Sequence, residues 1–251
     1  MEPAAAPVRH YTAPDGCRIA FRDTGPADAP PIFFCTMATA ALTVWDPIAA
    51  PLALSHRIIL HDRRGNGNSD PGAPDSHTFN TFVDDALGVL NTLGIGEAAI
   101  CGMAFGARVA LHLALRFPEQ TRKLILFDAT GGPPAPEALR RAGSEEAARL
   151  RALAGLPALT VLPEWFYRRD PAGDGLNGAA LRGQPAWIPG LAALQRPTLV
   201  ACGDHDPNLE GARRLASEIH GAQLVIMPMT GHASILDRPD LVLSIVQAFL
   251  K

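Results

Sequence analysis

At 251 residues, 47% apolar and 19% charged, the chain is long enough for one large core, and a single domain over 1–251 with an inserted segment is expected. A formal net charge of −3 leaves no polyanion-binding footprint, which argues against nucleic acid as a partner. No run approaches the ~18 apolar residues of a membrane span, and the opening MEPAAAPVRHY lacks the basic start and apolar stretch of a signal peptide.

In chain order, short β-rich apolar runs alternate with longer helical patterns, the signature of a mostly parallel twisted sheet with helices on both faces. A strand near Val8–Tyr11 is expected to pair with Cys17–Arg22. The turn that follows, Asp23-Thr24-Gly25-Pro26, has no G-x-G-x-x-G and opens no helix, so nucleotide binding is unsupported. Strands are predicted at Ile32–Cys35 and Arg57–His61, and Phe82, Ala86, Val89, Leu90 and Leu93 then share one helical face. Next come a strand at Ala98–Gly102, a helix at Phe105–Phe117 and a strand at Lys123–Asp128.

From about 131 to 196 the rhythm breaks. The segment is rich in Pro, Gly, Ala and Arg, with one helical piece near Glu137–Ala154 and no strand. An ordered insertion of this length, lying over the end of the sheet, would act as a cap or lid. The sheet resumes with Thr198–Gly203 and Gln223–Met227, and a helix over Asp240–Leu250 packs the C-terminus. Cys17, Cys35, Cys101 and Cys202 are far apart with no CxxC pair, so buried free thiols, no metal site and a reduced cytoplasmic setting are expected.

CGMAFG, Cys101 to Gly106, joins a predicted strand to a predicted helix. In a nucleophile elbow the middle residue takes a strained positive φ, and small residues two before and two after it let strand and helix approach. Gly102 and Gly106 meet that need, while the middle position holds Ala104.

Downstream, Asp206 follows one strand and Gly231-His232 follows the next. The order elbow, acid, His resembles that of the α/β-hydrolase superfamily, and the resemblance covers nearly the whole chain. HDRRGNGNSD is similar to its D-x-R-G-x-G-x-S turn, with Asp62, Arg64, Gly65, Gly67 and Ser69 matching. Phe117-Pro118-Glu119 closes the elbow helix as in that superfamily, and FFCTMATAALTVWDP is most similar to enol-lactone hydrolases of the 3-oxoadipate type and related carboxylesterases. One departure is Thr36-Met37, which stands where His-Gly is common.

The resemblance implies a fold of about eight strands and a Ser-His-Asp triad acting on an ester or lactone. His232 would be the base and Asp206 its orienting acid, with Asp128 and Asp204 as competing acids. The N–H groups of Phe105 and of Ala38 or Met37 would form the oxyanion hole. Alanine has no nucleophilic atom, and neither Cys35 nor Cys101 is presented by the elbow. Three readings of Ala104 follow. The preferred one is a working hydrolase inactivated by a Ser-to-Ala exchange. The others are a natural nucleophile-less enzyme (lyase, isomerase or cyclase type) using His232–Asp206 as general base, and a non-catalytic small-molecule-binding protein. Trp165, Phe166, Tyr167 and Trp187 in the insertion suggest a small apolar or aromatic substrate, or else pin the insertion down. No cofactor is implied, and exposed aromatics in the insertion would allow a homodimer.

Overall fold

Residues with β-branched and aromatic side chains between turn signals become the strands of one eight-stranded sheet in the computed structural model. The structure describes residues 6–38, 40–156 and 171–251, with the backbone alone at 171–175 and 177. The strands are β1 (Arg9–Thr12), β2 (Arg18–Thr24), β3 (Pro31–Cys35), β4 (Arg57–His61), β5 (Ala98–Met103), β6 (Thr121–Phe127), β7 (Thr198–Gly203) and β8 (Gln223–Met227). Their spatial order is β1-β2-β4-β3-β5-β6-β7-β8. β1–β2 and β2–β4 pair antiparallel and all later pairs are parallel. This is the mostly parallel α/β architecture expected.

Alternate residues of the central strands feed different cores. Phe33, Cys35 and Ile100 face one cluster, with α2 (Phe79–Thr92) and α3 (Phe105–Arg116) packed over it. Ile32, Phe34 and Cys101 face the other, with α1 (Asp46–Leu52) and α8 (Pro239–Leu250). Strands buried on both faces read as continuous apolar runs, which is why their bounds were legible. All four thiols are buried and free. Among the described residues no helix is long and apolar enough to cross a membrane.

β3 lies between β4 and β5, so the chain winds outward from it in both directions. Crevices in open parallel sheets form at such a reversal, outside the carboxyl ends of the strands. Cys35 pairs with Gly102, which sets the loop after β3 beside the turn after β5.

Between β6 and β7 run α4 (Glu137–Leu153) and α5 (Pro171–Arg182). The sequence suggested only the first as a helix. α5 contains Gly173, Gly175 and Gly178, which lower helix propensity, although its Pro171 suits a first helical position. Three more helices, α1, α6 (Leu209–Glu218) and α7 (Ser234–Asp237), went unread. α1 carries two prolines, and α6 buries only Ala212, Leu215 and Ala216. The short α7 precedes α8.

α4 lies directly on the strand-end loops. A Cβ on Gly143 would sit 2.0 Å from the His205 carbonyl oxygen. Ser144 donates to the His232 carbonyl at 3.3 Å. Buried Arg151 reaches the Met229 carbonyl at 2.5 Å and the Asp237 carboxylate at 3.3 Å.

Candidate active site

The turn after β5 has the geometry its glycines required. Ala104 sits at φ 51, ψ −112, between β5 and the first residue of α3, Phe105. A Cβ on Gly102 would lie 2.5 Å from the Gly106 oxygen, and one on Gly106 would lie 2.1 Å from the Cys35 oxygen. Both contacts are far inside van der Waals distance, so strand and helix meet this closely only with glycine at both places. Phe105 is the first helical residue, and its N–H has no acceptor within the helix. The non-glycine residues with positive φ among those described are Ala104, Asp128, Met229 and Ala233. All but Met229 line one cavity, so the backbone strain is concentrated where the loops converge.

The Asp62–Ser69 turn holds the loop after β3. Asp62 is buried, with one carboxylate oxygen accepting the Leu42 N–H at 2.6 Å and the other the Asn68 N–H at 2.9 Å. Burial pushes its pKa up to about 6 against those two hydrogen bonds. Gly67 passes so close that a Cβ would lie 2.2 Å from the Asp62 carboxylate. Arg64 forms a two-pronged pair with Asp85 at 2.7 and 2.8 Å. Two residues inside the turn, Arg63 and Asn66, donate to the Ala38 carbonyl at 3.0 and 2.9 Å. They thereby fix the peptide of the expected oxyanion loop. The motif marked this turn, but nothing in its spacing identified Arg63 and Asn66 as the residues that grip Ala38.

On the other side of the cavity, His232 Nδ1 lies 2.9 Å from Asp206 Oδ2. Asp206 is 3% exposed, and its other oxygen accepts the Asn208 N–H at 2.9 Å. Asn208 is also fixed by its own Oδ1, which accepts the Ala135 N–H at 2.8 Å, and its amide nitrogen stands 3.3 Å from His232 Nδ1. With Nδ1 engaged by Asp206, Nε2 is the nitrogen His232 offers to the cavity. Asp204 does not reach His232; its carboxylate meets His205 at 2.6 Å and the Thr230 N–H at 3.1 Å.

Asp128 ends up beside the same pair. It is 1% exposed, one oxygen accepts the Ser234 N–H at 2.7 Å, and Oδ1 has no partner. Burial, reinforced by the nearby Asp206 carboxylate, pushes its pKa up to about 7. Asp128, Cys202 and Asp206 have ligand atoms within 4.8 Å of one another, close enough to share a cation. In the structure the Cys202 thiol donates to Asp206 at 3.6 Å, and burial holds that thiol protonated. Cys35 is likewise pushed up to about 12 by burial, and Cys101 well above the ordinary thiol value, so neither resembles an activated nucleophile.

A cavity of about 750 Å³ joins these parts, lined by Met37, Ala38, Ala104, Phe105, Asp128 and His232 and roofed by residues of α4 and α5. Trp187, expected at the substrate, does not line it. The indole packs on Gly131 and Gly132, donates to Glu218 at 2.6 Å and lies under the Arg214 guanidinium at 3.8 Å. It pins the insertion to α6, the other of the two roles its position allowed. Trp165, Phe166 and Tyr167 lie outside the described residues.

A model of the alpha/beta hydrolase family matches residues 40–245. The chain is 32% identical over 227 residues to a 2-hydroxymuconate semialdehyde hydrolase of Pseudomonas sp. strain CF600, covering 82% of this chain and 80% of that protein. It is 24% identical over 256 residues to 3-oxoadipate enol-lactonase 1 of Acinetobacter baylyi, covering 94% of each. Among solved structures, the enol-lactonase from Burkholderia xenovorans superposes with a TM-score of 0.80 at 25% identity, over 96% of this chain and 99% of that one. A thermophilic esterase from Thermogutta terrifontis gives 0.79 at 27% identity, over 98% of each.

Proposed function

Because the chain belongs to the alpha/beta hydrolase family, we propose that its cavity is built for hydrolysis of a small ester or lactone, with position 104 as the nucleophile site. The observation that carries this reading is the 2.9 Å contact between His232 and Asp206, facing the same cavity as Ala104. With serine at 104, His232 Nε2 would take the hydroxyl proton as the oxygen attacks the carbonyl. It would then return that proton to the leaving alkoxide. Asp206 would hold the ring in the Nδ1–H tautomer and stabilise its cation. The N–H groups of Phe105 and of Ala38 or Met37 would receive the oxyanion, at roughly 3–4 kcal/mol per donor.

With alanine at 104, no acyl-enzyme forms, and the protein as it stands binds such a substrate without cleaving it by that route. α4 and α5 act in this reading as the cap over the substrate, and Trp165, Phe166 and Tyr167 belong to the same insertion. The test is Ala104→Ser, assayed beside the unchanged protein with short aryl esters and lactones. Turnover should rise by about six orders of magnitude, the scale of serine loss in a comparable triad. Equal activity in both proteins refutes the proposal.

The intact His232–Asp206 pair also favours a second reading, in which His232 acts as general base on water or on the substrate without a nucleophile. Activity in the unchanged protein that disappears in His232→Ala would select it. Tight ligand binding with no turnover in any form would select a binding protein.

A further inference from the structure

Arg108 belongs to the first turn of α3, its N–H 3.3 Å from the Ala104 carbonyl, and it is only 4% exposed. It lines the cavity. Of its two terminal guanidinium nitrogens, Nη2 donates to the Gly132 carbonyl and Nη1 is buried with no hydrogen-bond partner. The other buried arginines are better provided. Arg22, Arg64 and Arg151 each meet a carboxylate, and Arg63 donates to two carbonyls and to Asn66. Burial draws the pKa of Arg108 down to about 10, which leaves it cationic at neutral pH.

Taking a guanidinium out of water costs far more than one carbonyl returns, so a buried cation that meets no carboxylate among the described residues marks a place for one to arrive. Arg140 and Arg141 line the same cavity, and Arg140 Nε is also buried and unpartnered. The acids that line it are committed elsewhere. Glu137 is exposed and meets Arg141 at 3.5 Å, while Asp128 accepts from Ser234 on the His232 side.

We infer that the cavity takes a substrate bearing a carboxylate, which seats on Arg108 while the reacting carbonyl lies at Ala104. One helical turn, about 5.4 Å of rise, separates the two residues, and helical side chains lean toward the N-terminus, here toward the elbow. That separation suits a short spacer between carboxylate and carbonyl. A negative charge matches the buried Arg108 cation, and a planar carboxylate matches the guanidinium fork.

The inference rests on reading this cavity as the substrate site, and it is tested by binding. Because alanine at 104 cannot be acylated, the unaltered protein can be titrated calorimetrically with intact esters at pH 7.5. Monomethyl glutarate, an ester with one free carboxylate, should bind at least about tenfold more tightly than neutral dimethyl glutarate. A ratio near one, or no binding of either at millimolar concentration, overturns the inference without any variant being needed. Arg108→Met should abolish the preference and Arg140→Gln should leave most of it. If Arg108→Met fails to fold, Arg108→Lys keeps the charge but loses the fork, and should cut the ratio severalfold. A preference that survives unchanged in these Arg108 variants removes Arg108 from the role. Hydrolysis by the Ala104→Ser form with no preference for the monoester sinks this inference alone. A clear preference with no hydrolysis sinks the proposed hydrolase function alone.

Discussion

Asp128→Asn should stabilise the folded protein at pH 8 and change it little at pH 4. In the unfolded chain this carboxyl titrates near its ordinary 3.8, and in the folded protein burial and the Asp206 charge move it up to about 7. Between those values the folded state holds a proton that the unfolded state has released. Stability contributed by the neutral carboxyl is therefore present below 3.8, falls as pH rises through the window, and is gone above about 7. At roughly 1.4 kcal/mol per pH unit, that window of about three pH units corresponds to a ceiling of about 4 kcal/mol. Asparagine carries no charge at any of these pH values. Its side-chain oxygen can still accept the Ser234 N–H that Asp128 now takes at 2.7 Å. Thermal melts of both proteins at half-unit steps from pH 4 to 8 make the measurement, and the difference between them removes every titrating group that does not interact with Asp128, leaving Asp128 and its neighbours Asp206 and His232. For a chain of this size about 2–4 °C accompanies each kcal/mol, so the ceiling on the variant's gain across the window is roughly 8–16 °C. A difference that stays flat over that range would show Asp128 ionised at an ordinary pKa in the fold, and the reasoning would fail.

Gly106→Ala drives a Cβ to 2.1 Å from the Cys35 carbonyl, so it should lose several kcal/mol or fail to give soluble protein, as melting temperature and yield will show. Asp85→Ala leaves the Arg64 guanidinium buried with only the half-exposed Asp15 and the Ser76 hydroxyl against it among the described residues, and should cost about 3–5 kcal/mol in urea unfolding. Asp84→Ala breaks only an exposed pair with Arg116 and should cost less than about 1 kcal/mol; similar losses in the two variants would contradict the burial argument. In the Ala104→Ser background, Asp206→Asn should lower kcat by about four orders of magnitude through the wrong imidazole tautomer. Asp204→Asn should leave kcat within a few-fold, because Asp204 reaches His205 and Thr230 and not His232.

Much of the fold was legible because a parallel strand buried on both faces is a bare apolar run. β4, β7 and β8 have the predicted bounds, and the other strands differ by a residue or two at their ends. Local chemistry was legible for the same kind of reason: Gly102 and Gly106 mark a close backbone approach that any larger residue would block. Of the helices that escaped notice, α1, α5 and α6 have prolines, glycines or a thin apolar stripe, and α7 is only 4 residues long, so their helicity depends on what they pack against.

The sequence by itself determined the alternation of strands and helices, the elbow at Ala104, and the chain order of Asp206 and His232, since each of these is written in contiguous residues. Only the tertiary structure decided which acid meets His232, because Asp128, Asp204 and Asp206 all lie in loops after strands and their distances from His232 depend on loop paths. It also decided that Trp187 grips α6, that Arg63 and Asn66 hold Ala38, and that Arg108 is buried with no carboxylate against it among the described residues. Pairing, burial and the absence of a partner are relations between distant segments. No local pattern encodes them until the sheet has brought those segments together.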